Sequence, residues 1–270
     1  MNICLLFFLI TQISQINTFA DIIKFPGDND FDPNTFQLDN ITILYSKPDI
    51  KQYYNIVTDK EVDYLIEEAK KRVKPSFTMG GYITEIRDSS SAFLENDYTD
   101  EILLGIRKRF AALVGYEENH IEHLQVVHYK DQQYYKPHYD YYGPEINKAY
   151  LADNCGNDRE HTFLLYLNTI PKKYGGFTKF INLGIKSQPK RRMALYFQNI
   201  AKNGTYFSNT LHSGWRLFQN KNLEKWALNV WIRQHNLRES EKECINNFKI
   251  YNEMELDKWR RFFYINNTRK

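Results

Sequence analysis

The sequence predicts an α+β fold, a single domain in which helices pack on a β core. Two observations predict it. Two segments in the first half of the chain place apolar residues at helical spacing behind capping signals. After Gly115 the character changes to short runs dense in β-branched and aromatic residues, "HLQVVHYK", "HTFLLYLN", "RMALYFQN" and "KWALNVWIR". Gly, Pro and Asn punctuate between these runs, the pattern of a sandwich or barrel. The chain has 270 residues, 42% hydrophobic and 16% aromatic, which is ample material for one large core.

Taken in order, residues 1–20 read as a secretory signal peptide. Ile3 to Ile10 is a short apolar run, and Thr18 and Ala20 suit cleavage after Ala20. The run is too short to span a bilayer, so no membrane span is expected once the signal is removed. Residues 21–57 form an irregular lead-in with a strand at Ile41 to Tyr45. "TDKEVDYLIEEAKKRV" opens on a capping box, Thr58 with Glu61. Val62, Leu65, Ile66, Ala69 and Val73 then form an apolar helical stripe, and Pro75 ends the helix. A second helix runs from about Asp100 to Val114, with Ile102, Leu103, Ile106, Phe110 and Leu113 on one side and Gly115 at the C-cap position. The domain extends over 58–236, with its β core at 120–235, and 237–270 reads as a helical tail.

The 36 basic and 33 acidic residues give a net charge of +3. So mild a balance gives no reason to expect nucleic acid or an anionic membrane as partner. Cys4 leaves with the signal. Cys155 and Cys244 remain, and an oxidising compartment would allow them to pair, although the sequence does not say whether they meet. Sequons at Asn40, Asn203 and Asn266 are candidate glycosylation sites and fit a secretory route. The expected location is the lumen of the endoplasmic reticulum or the exterior.

The stretch "YYKPHYDYYG" places His138 and Asp140 two apart on a predicted strand, where alternation points both side chains the same way. His212, in "NTLHSGW", supplies a candidate third ligand. Two imidazoles and a carboxylate with positions left open form the facial set of non-haem Fe(II) oxygenases. In "KWALNVWIR", Trp226, Leu228, Val230 and Ile232 belong in a core. The alternate set Lys225, Ala227, Asn229, Trp231 and Arg233 then faces a cavity. A lysine there is costly unless it meets an anion, which a dicarboxylate cosubstrate would supply. An isolated H-x-D is common, and ordinary polar positions on a strand remain the alternative.

From Arg87 to Gln234 the chain resembles the catalytic domain of prolyl 4-hydroxylases, within the Fe(II)/2-oxoglutarate dioxygenases. The matching pieces occur in family order: "RDSSSAFL", "EHLQVVHYKDQQYYKPHYD", "REHTFLLYLN", "YGGFTKF", "LHSGW" and "KWALNVWI". The resemblance implies a double-stranded β-helix, a jelly-roll, with Fe(II) held by His138, Asp140 and His212. It implies that Lys225 pairs with the far carboxylate of 2-oxoglutarate, that Tyr129 and Thr178 help hold the cosubstrate, and that Tyr135 and Trp231 line the substrate side as exposed rings suited to a flat proline. The resemblance further implies that O2 is the oxidant, that ascorbate restores oxidised iron, and that the products are succinate, carbon dioxide and hydroxylated peptidyl proline.

The stretch from His212 to Lys225 is longer than the family usually has, which makes Lys221 a rival for the cosubstrate. "HSGW" departs from the usual turn after the distal histidine. Phe177 stands where a small or acidic residue is common, and Gln132 where glycine is usual. Arg87 and Arg159 are left between a structural role and contact with substrate. The expected reaction is hydroxylation of peptidyl proline at C4 in secretory-pathway proteins, collagen-like chains among them. The alternatives are a lysyl or other side-chain hydroxylase and a catalytically silent jelly-roll that binds peptide. A partner subunit is left open.

Overall fold

The structure is a computed structural model and describes residues 41–76, 88–95, 97–143, 157–218 and 222–237. The signal segment, most of the lead-in, the tail beyond Leu237, Arg87, Lys221, Cys155, Cys244, Asn40 and Asn266 lie outside the described residues. Among the described residues no helix is long and apolar enough to cross a membrane.

Both helices form where the capping residues place them. Helix α1 is Asp59–Lys70. Thr58 Oγ1 accepts from the Glu61 amide at 3.2 Å, and Glu61 Oε2 accepts from the Thr58 amide at 2.7 Å. Glu61 also takes both Nη atoms of the buried Arg109, at 3.1 and 3.0 Å, so the cap carboxylate ties the first helix to the second. Helix α2 is Glu101–Ala112, with Asp100 Oδ1 accepting from the amides of Ile102 and Leu103 at 3.0 Å each. Both helices end earlier than their stripes predict. Val73 and Leu113 still pack against the core from outside the helices. After α2 the chain turns back through Gly115 at φ +80°, where its Tyr116 amide bonds the Ala111 carbonyl at 3.0 Å.

The β core has two sheets. The larger one contains, in spatial order, β1 (Ile41–Ser46), β2 (Asp49–Tyr54), β10 (Met193–Gln198), β7 (Arg159–Tyr166), β12 (Lys225–Arg233), β5 (Gln125–Tyr129), β4 (Ser90–Phe93) and β3 (Lys74–Pro75). The smaller one runs β6 (Tyr135–His138), β11 (His212–Gly214), β8 (Thr178–Phe180) and β9 (Lys186–Ser187). The four apolar runs read from the sequence are β5, β7, β10 and β12, the centre of the large sheet.

Alternation in these central strands feeds two apolar clusters. One packs the helices on the outer face of the large sheet: Leu65, Phe110, Phe163, Leu165, Trp226, Leu228, Val230 and Ile232 belong to it. The other lies between the sheets and includes Val127, Tyr129, Tyr166, Phe180, Leu195, Phe197 and Ala227. The predicted split of β12 into a core set and a cavity set holds: Lys225, Ala227, Asn229 and Trp231 line the cavity between the sheets. Arg233, at the strand's end, instead pairs with Glu122 at 2.6 Å.

Candidate active site

His138 closes β6 and His212 opens β11, and the two are cross-strand partners. Pro137 is tolerated on β6 because that strand lies at the sheet edge, with β11 as its neighbour. The imidazole centroids are 4.3 Å apart. His138 Nδ1 lies 2.8 Å from the Lys136 carbonyl and His212 Nδ1 2.9 Å from the Thr210 carbonyl. A carbonyl only accepts, so each Nδ1 carries a proton and each Nε2 is the ring atom left to meet a metal. Both Nε2 atoms face Asp140 Oδ1, at 3.6 and 3.9 Å. Three acceptor atoms thus converge within 4.8 Å of one another, an arrangement that a bound cation resolves. The donor set, two imidazoles and a carboxylate, fits Fe(II).

Asp140 reaches this position differently from the sequence expectation. The strand ends at His138, so strand alternation does not place Asp140. The chain bends away instead, because Arg159 Nη1 takes the Asp140 carbonyl at 3.3 Å and the Asp158 carboxylate takes the amides of Tyr142 and Gly143 at 2.9 and 3.1 Å. Burial pushes the Asp140 carboxyl up. The neighbouring His212, His138 and Arg159 and the Thr162 hydroxyl together outweigh that, leaving it below the usual carboxylate range.

The triad opens into a cavity of about 520 Å³. At its inner end lies Lys225, 3% exposed, with no carboxylate partner among the described residues. Burial lowers its pKa to about 7. Its Nζ sits 5.2 Å from the centre of the Tyr129 ring and 5.5 Å from that of Tyr166. Thr178 lines the same end, its hydroxyl accepting from the Tyr166 hydroxyl at 2.8 Å. A buried lysine with hydroxyls around it fits the far carboxylate of a dicarboxylate such as 2-oxoglutarate. The turn before Thr178 needs its glycines. Gly175 has φ +70°, and a Cβ there would stand 2.5 Å from the Arg216 carbonyl oxygen.

The mouth is aromatic, with Phe93, Tyr135, Tyr139, Tyr141 and Trp231 on the cavity wall. Tyr135 stacks on the His138 ring at 3.6 Å, so it holds a candidate ligand as well as lining the cavity. Trp231 corrects an expectation: it is 7% exposed and not an open ring. The Arg159 guanidinium lies 3.7 Å over its face, while Trp231 Nε1 is buried without a partner among the described residues. Arg159 also forms a fork with Glu122, at 2.6 and 2.7 Å, and Arg233 reaches the same carboxylate. Burial pushes the Glu122 carboxyl up, and Arg159 and Arg233 pull it down further, to about 2.

Glu122, Thr162 and Asn199 were not singled out from the sequence. Glu122 sits at the head of the "EHLQVVHYK" run and Thr162 inside "REHTFLLYLN", but nothing in residue type or spacing tells which side chain a polar group meets. Two departures from the family pattern prove to be one feature. Phe177, just before β8, and Trp215, just after β11, stack at 5.2 Å, with the Trp215 amide donating to the Phe177 carbonyl at 2.9 Å and Trp215 43% exposed. Gln132 takes φ +66°, the left-handed conformation for which glycine is the usual choice. Asn203 lies on an exposed turn.

Comparison with known proteins places these features in a family. The family model for the 2OG-Fe(II) oxygenase superfamily matches residues 124–233. The Arabidopsis thaliana protein named "Probable prolyl 4-hydroxylase 10" is 30% identical, with 72% of each chain covered. Its relative "Probable prolyl 4-hydroxylase 6" is 28% identical over 89% of this chain and 85% of that protein. Prolyl 4-hydroxylase subunit alpha-3 from Homo sapiens is 31% identical over 72% of this chain, which spans 35% of that subunit. Among solved structures, the viral collagen prolyl hydroxylase of Paramecium Bursaria Chlorella virus-1 in its 2OG complex superposes with a TM-score of 0.53 at 25% identity, covering 68% of this chain and 95% of that one. With this level of identity and a jelly-roll holding the residues in place, the chain belongs to the prolyl 4-hydroxylase family of 2-oxoglutarate- and Fe(II)-dependent oxygenases.

Proposed function

We propose that this chain hydroxylates peptidyl proline at C4 in proteins of the secretory pathway, collagen-like or otherwise proline-rich, with ascorbate as the reductant that restores oxidised iron. One observation carries the reading: a His, Asp, His donor set and a buried lysine, without a carboxylate partner among the described residues, share one cavity with an aromatic mouth. When bound, Fe(II) with 2-oxoglutarate supplies the activation of dioxygen that a prolyl C–H bond requires.

The protein's own residues do the rest. His138, Asp140 and His212 hold the metal and leave positions open. Lys225 receives the far carboxylate of 2-oxoglutarate, and Tyr129 and Thr178 flank it. The apolar wall between the sheets, with Leu164, Phe197 and Ala227, keeps water from the reacting end. Tyr135 and the Trp231–Arg159 pair present flat faces at the mouth, suited to a ring in an extended, preformed chain. Residues 58–236 carry the catalytic residues in this reading, and β1 and β2, which precede them, complete the large sheet. The short apolar N-terminus and the exposed Asn203 support passage through the endoplasmic reticulum and glycosylation there.

The test is succinate release from 2-oxoglutarate by the full chain with Fe(II) and ascorbate, with and without a proline-rich peptide, followed by mass spectrometry of the peptide. The reading expects peptide-stimulated succinate and one added oxygen on proline. Oxygen on lysine instead, or peptide binding without succinate, contradicts it.

A further inference from the structure

Asp140 has two carboxylate oxygens and only one faces the imidazoles. Oδ1 lies 3.6 and 3.9 Å from the two Nε2 atoms. Oδ2 accepts from Thr162 Oγ1 at 2.8 Å, and Thr162 Oγ1 lies 2.9 Å from Asn199 Nδ2. The three residues come from separate elements: the bend after β6, the centre of β7 and the residue just past β10. All are buried, Thr162 and Asn199 nearly completely, at 2% and 0% exposed.

The direction of this chain of bonds is forced. A carboxylate has no proton to give, so the single hydroxyl proton of Thr162 goes to Asp140. The Thr162 oxygen must then accept, and only the amide nitrogen of Asn199 can donate. That choice orients the Asn199 side chain and leaves its Oδ1 buried without a partner among the described residues. The backbone holds Asn199 at this point, its amide donating to the Glu160 carbonyl at 2.7 Å and its carbonyl accepting from Phe207 at 2.9 Å.

We propose that Thr162 and Asn199 form a directional relay that positions Asp140 as a one-oxygen metal ligand. With Oδ2 engaged by the hydroxyl, Oδ1 alone is offered to the metal. A carboxylate free to bind through both oxygens would fill a coordination position that cosubstrate and dioxygen need. Thr162 is thus a positioning residue that acts through Asp140 on how many positions stay open. The inference rests on the metal-site reading above.

The experiment is titration of the full-length, metal-free chain with Co(II), read by calorimetry and by the visible Co(II) absorption spectrum. These readouts do not depend on turnover. Thr162→Val removes the hydroxyl with little change of shape and is expected to weaken Co(II) binding about 10-fold or more and to alter the Co(II) spectrum. Thr162→Ser restores both. Asn199→Asp replaces the donor by an acceptor, competes for the Thr162 proton and is expected to reproduce the Thr162→Val spectrum. Binding by Thr162→Val within about threefold of wild type, with an unchanged spectrum, overturns the relay while leaving the ligand triad standing. Equal loss in Thr162→Val and Thr162→Ser overturns it also. If Thr162→Val does not fold, Asn199→Asp decides by the same thresholds. A wild-type chain that fails to bind Co(II) overturns the triad and the relay together.

Discussion

His138 and His212, far apart in the chain, are direct partners across β6 and β11, with ring centroids 4.3 Å apart. The small sheet therefore brings the two histidines of the candidate metal site together by strand pairing, and the large sheet brings Lys225 to the same cavity. Removing one imbalanced member shows whether the site is built this way. His212→Ala is expected to abolish stoichiometric Fe(II) or Co(II) binding and with it peptide-stimulated succinate release. The apolar clusters do not depend on that imidazole, so thermal unfolding of the metal-free chain should change little. Equilibrium dialysis with metal analysis checks the first, and calorimetric unfolding the second.

Lys225 gives two linked expectations. Lys225→Ala should weaken 2-oxoglutarate by about 30-fold or more, roughly 2 kcal/mol or above for the loss of a buried charge partner, with Fe(II) affinity retained. Because the free lysine titrates at about 7 in the folded chain, binding a dicarboxylate above that pH must bring a proton with it. Apparent 2-oxoglutarate affinity should fall about tenfold per unit as pH rises above 7. Stability has its own sign. The folded value, about 7, lies below the ordinary 10.5, so the unfolded chain holds this proton between those values. Without cosubstrate, stability from this group rises with pH across that window, and Lys225→Met should remove the rise. Calorimetric titration and unfolding at several pH values measure both.

The Glu122 carboxylate sits between Arg159 and Arg233 with contacts of 2.6 Å to each. Breaking such a pair leaves two guanidinium groups uncompensated. Glu122→Gln is expected to destabilise the chain by about 3 kcal/mol and to loosen Arg159 from the Trp231 face. Its folded pKa of about 2 lies below the ordinary 4.5, so its contribution is present above pH 4.5 and is lost as pH falls from 4.5 toward 2. Denaturant unfolding of wild type and variant across that range should show the two curves converging at low pH.

Phe177 and Trp215 form a stacked pair at 5.2 Å with an interplanar angle of 13°. A double-mutant cycle with Phe177→Ala and Trp215→Ala should give a coupling of about 0.5 to 1.5 kcal/mol. At Gln132, whose φ is +66°, Gln132→Gly should stabilise the chain, since a side chain in that conformation costs about 1 to 2 kcal/mol. Chemical denaturation checks each value.

Much of this was legible because it is local. The capping box of Thr58 and Glu61 and the two-residue alternation of β12 are properties of neighbouring residues, and the structure has both where the sequence puts them. The candidate metal ligands His138, Asp140 and His212 were picked out through the ordered run of motifs, and the structure brings them together. Other features depend on partners distant in sequence. Strand β2, "DIKQYY", lacks an apolar run, and it forms because Tyr53 and Ile50 pair with Ala194 and Phe197 of β10. Asp140 was expected on the strand, but the bend after His138 depends on Asp158 and Arg159. Trp231 was expected as an open ring, and the covering Arg159 comes from another strand.

The most direct measurement is anaerobic calorimetric binding of 2-oxoglutarate to the full chain, with and without Fe(II). Three proteins enter it: wild type, His212→Ala and Lys225→Ala. The account predicts tight binding only when Fe(II) is present, lost in His212→Ala together with the metal, and weakened in Lys225→Ala while the metal stays bound. Binding of 2-oxoglutarate that is indifferent to Fe(II), or unchanged when Lys225 is replaced, contradicts a shared site for metal and cosubstrate.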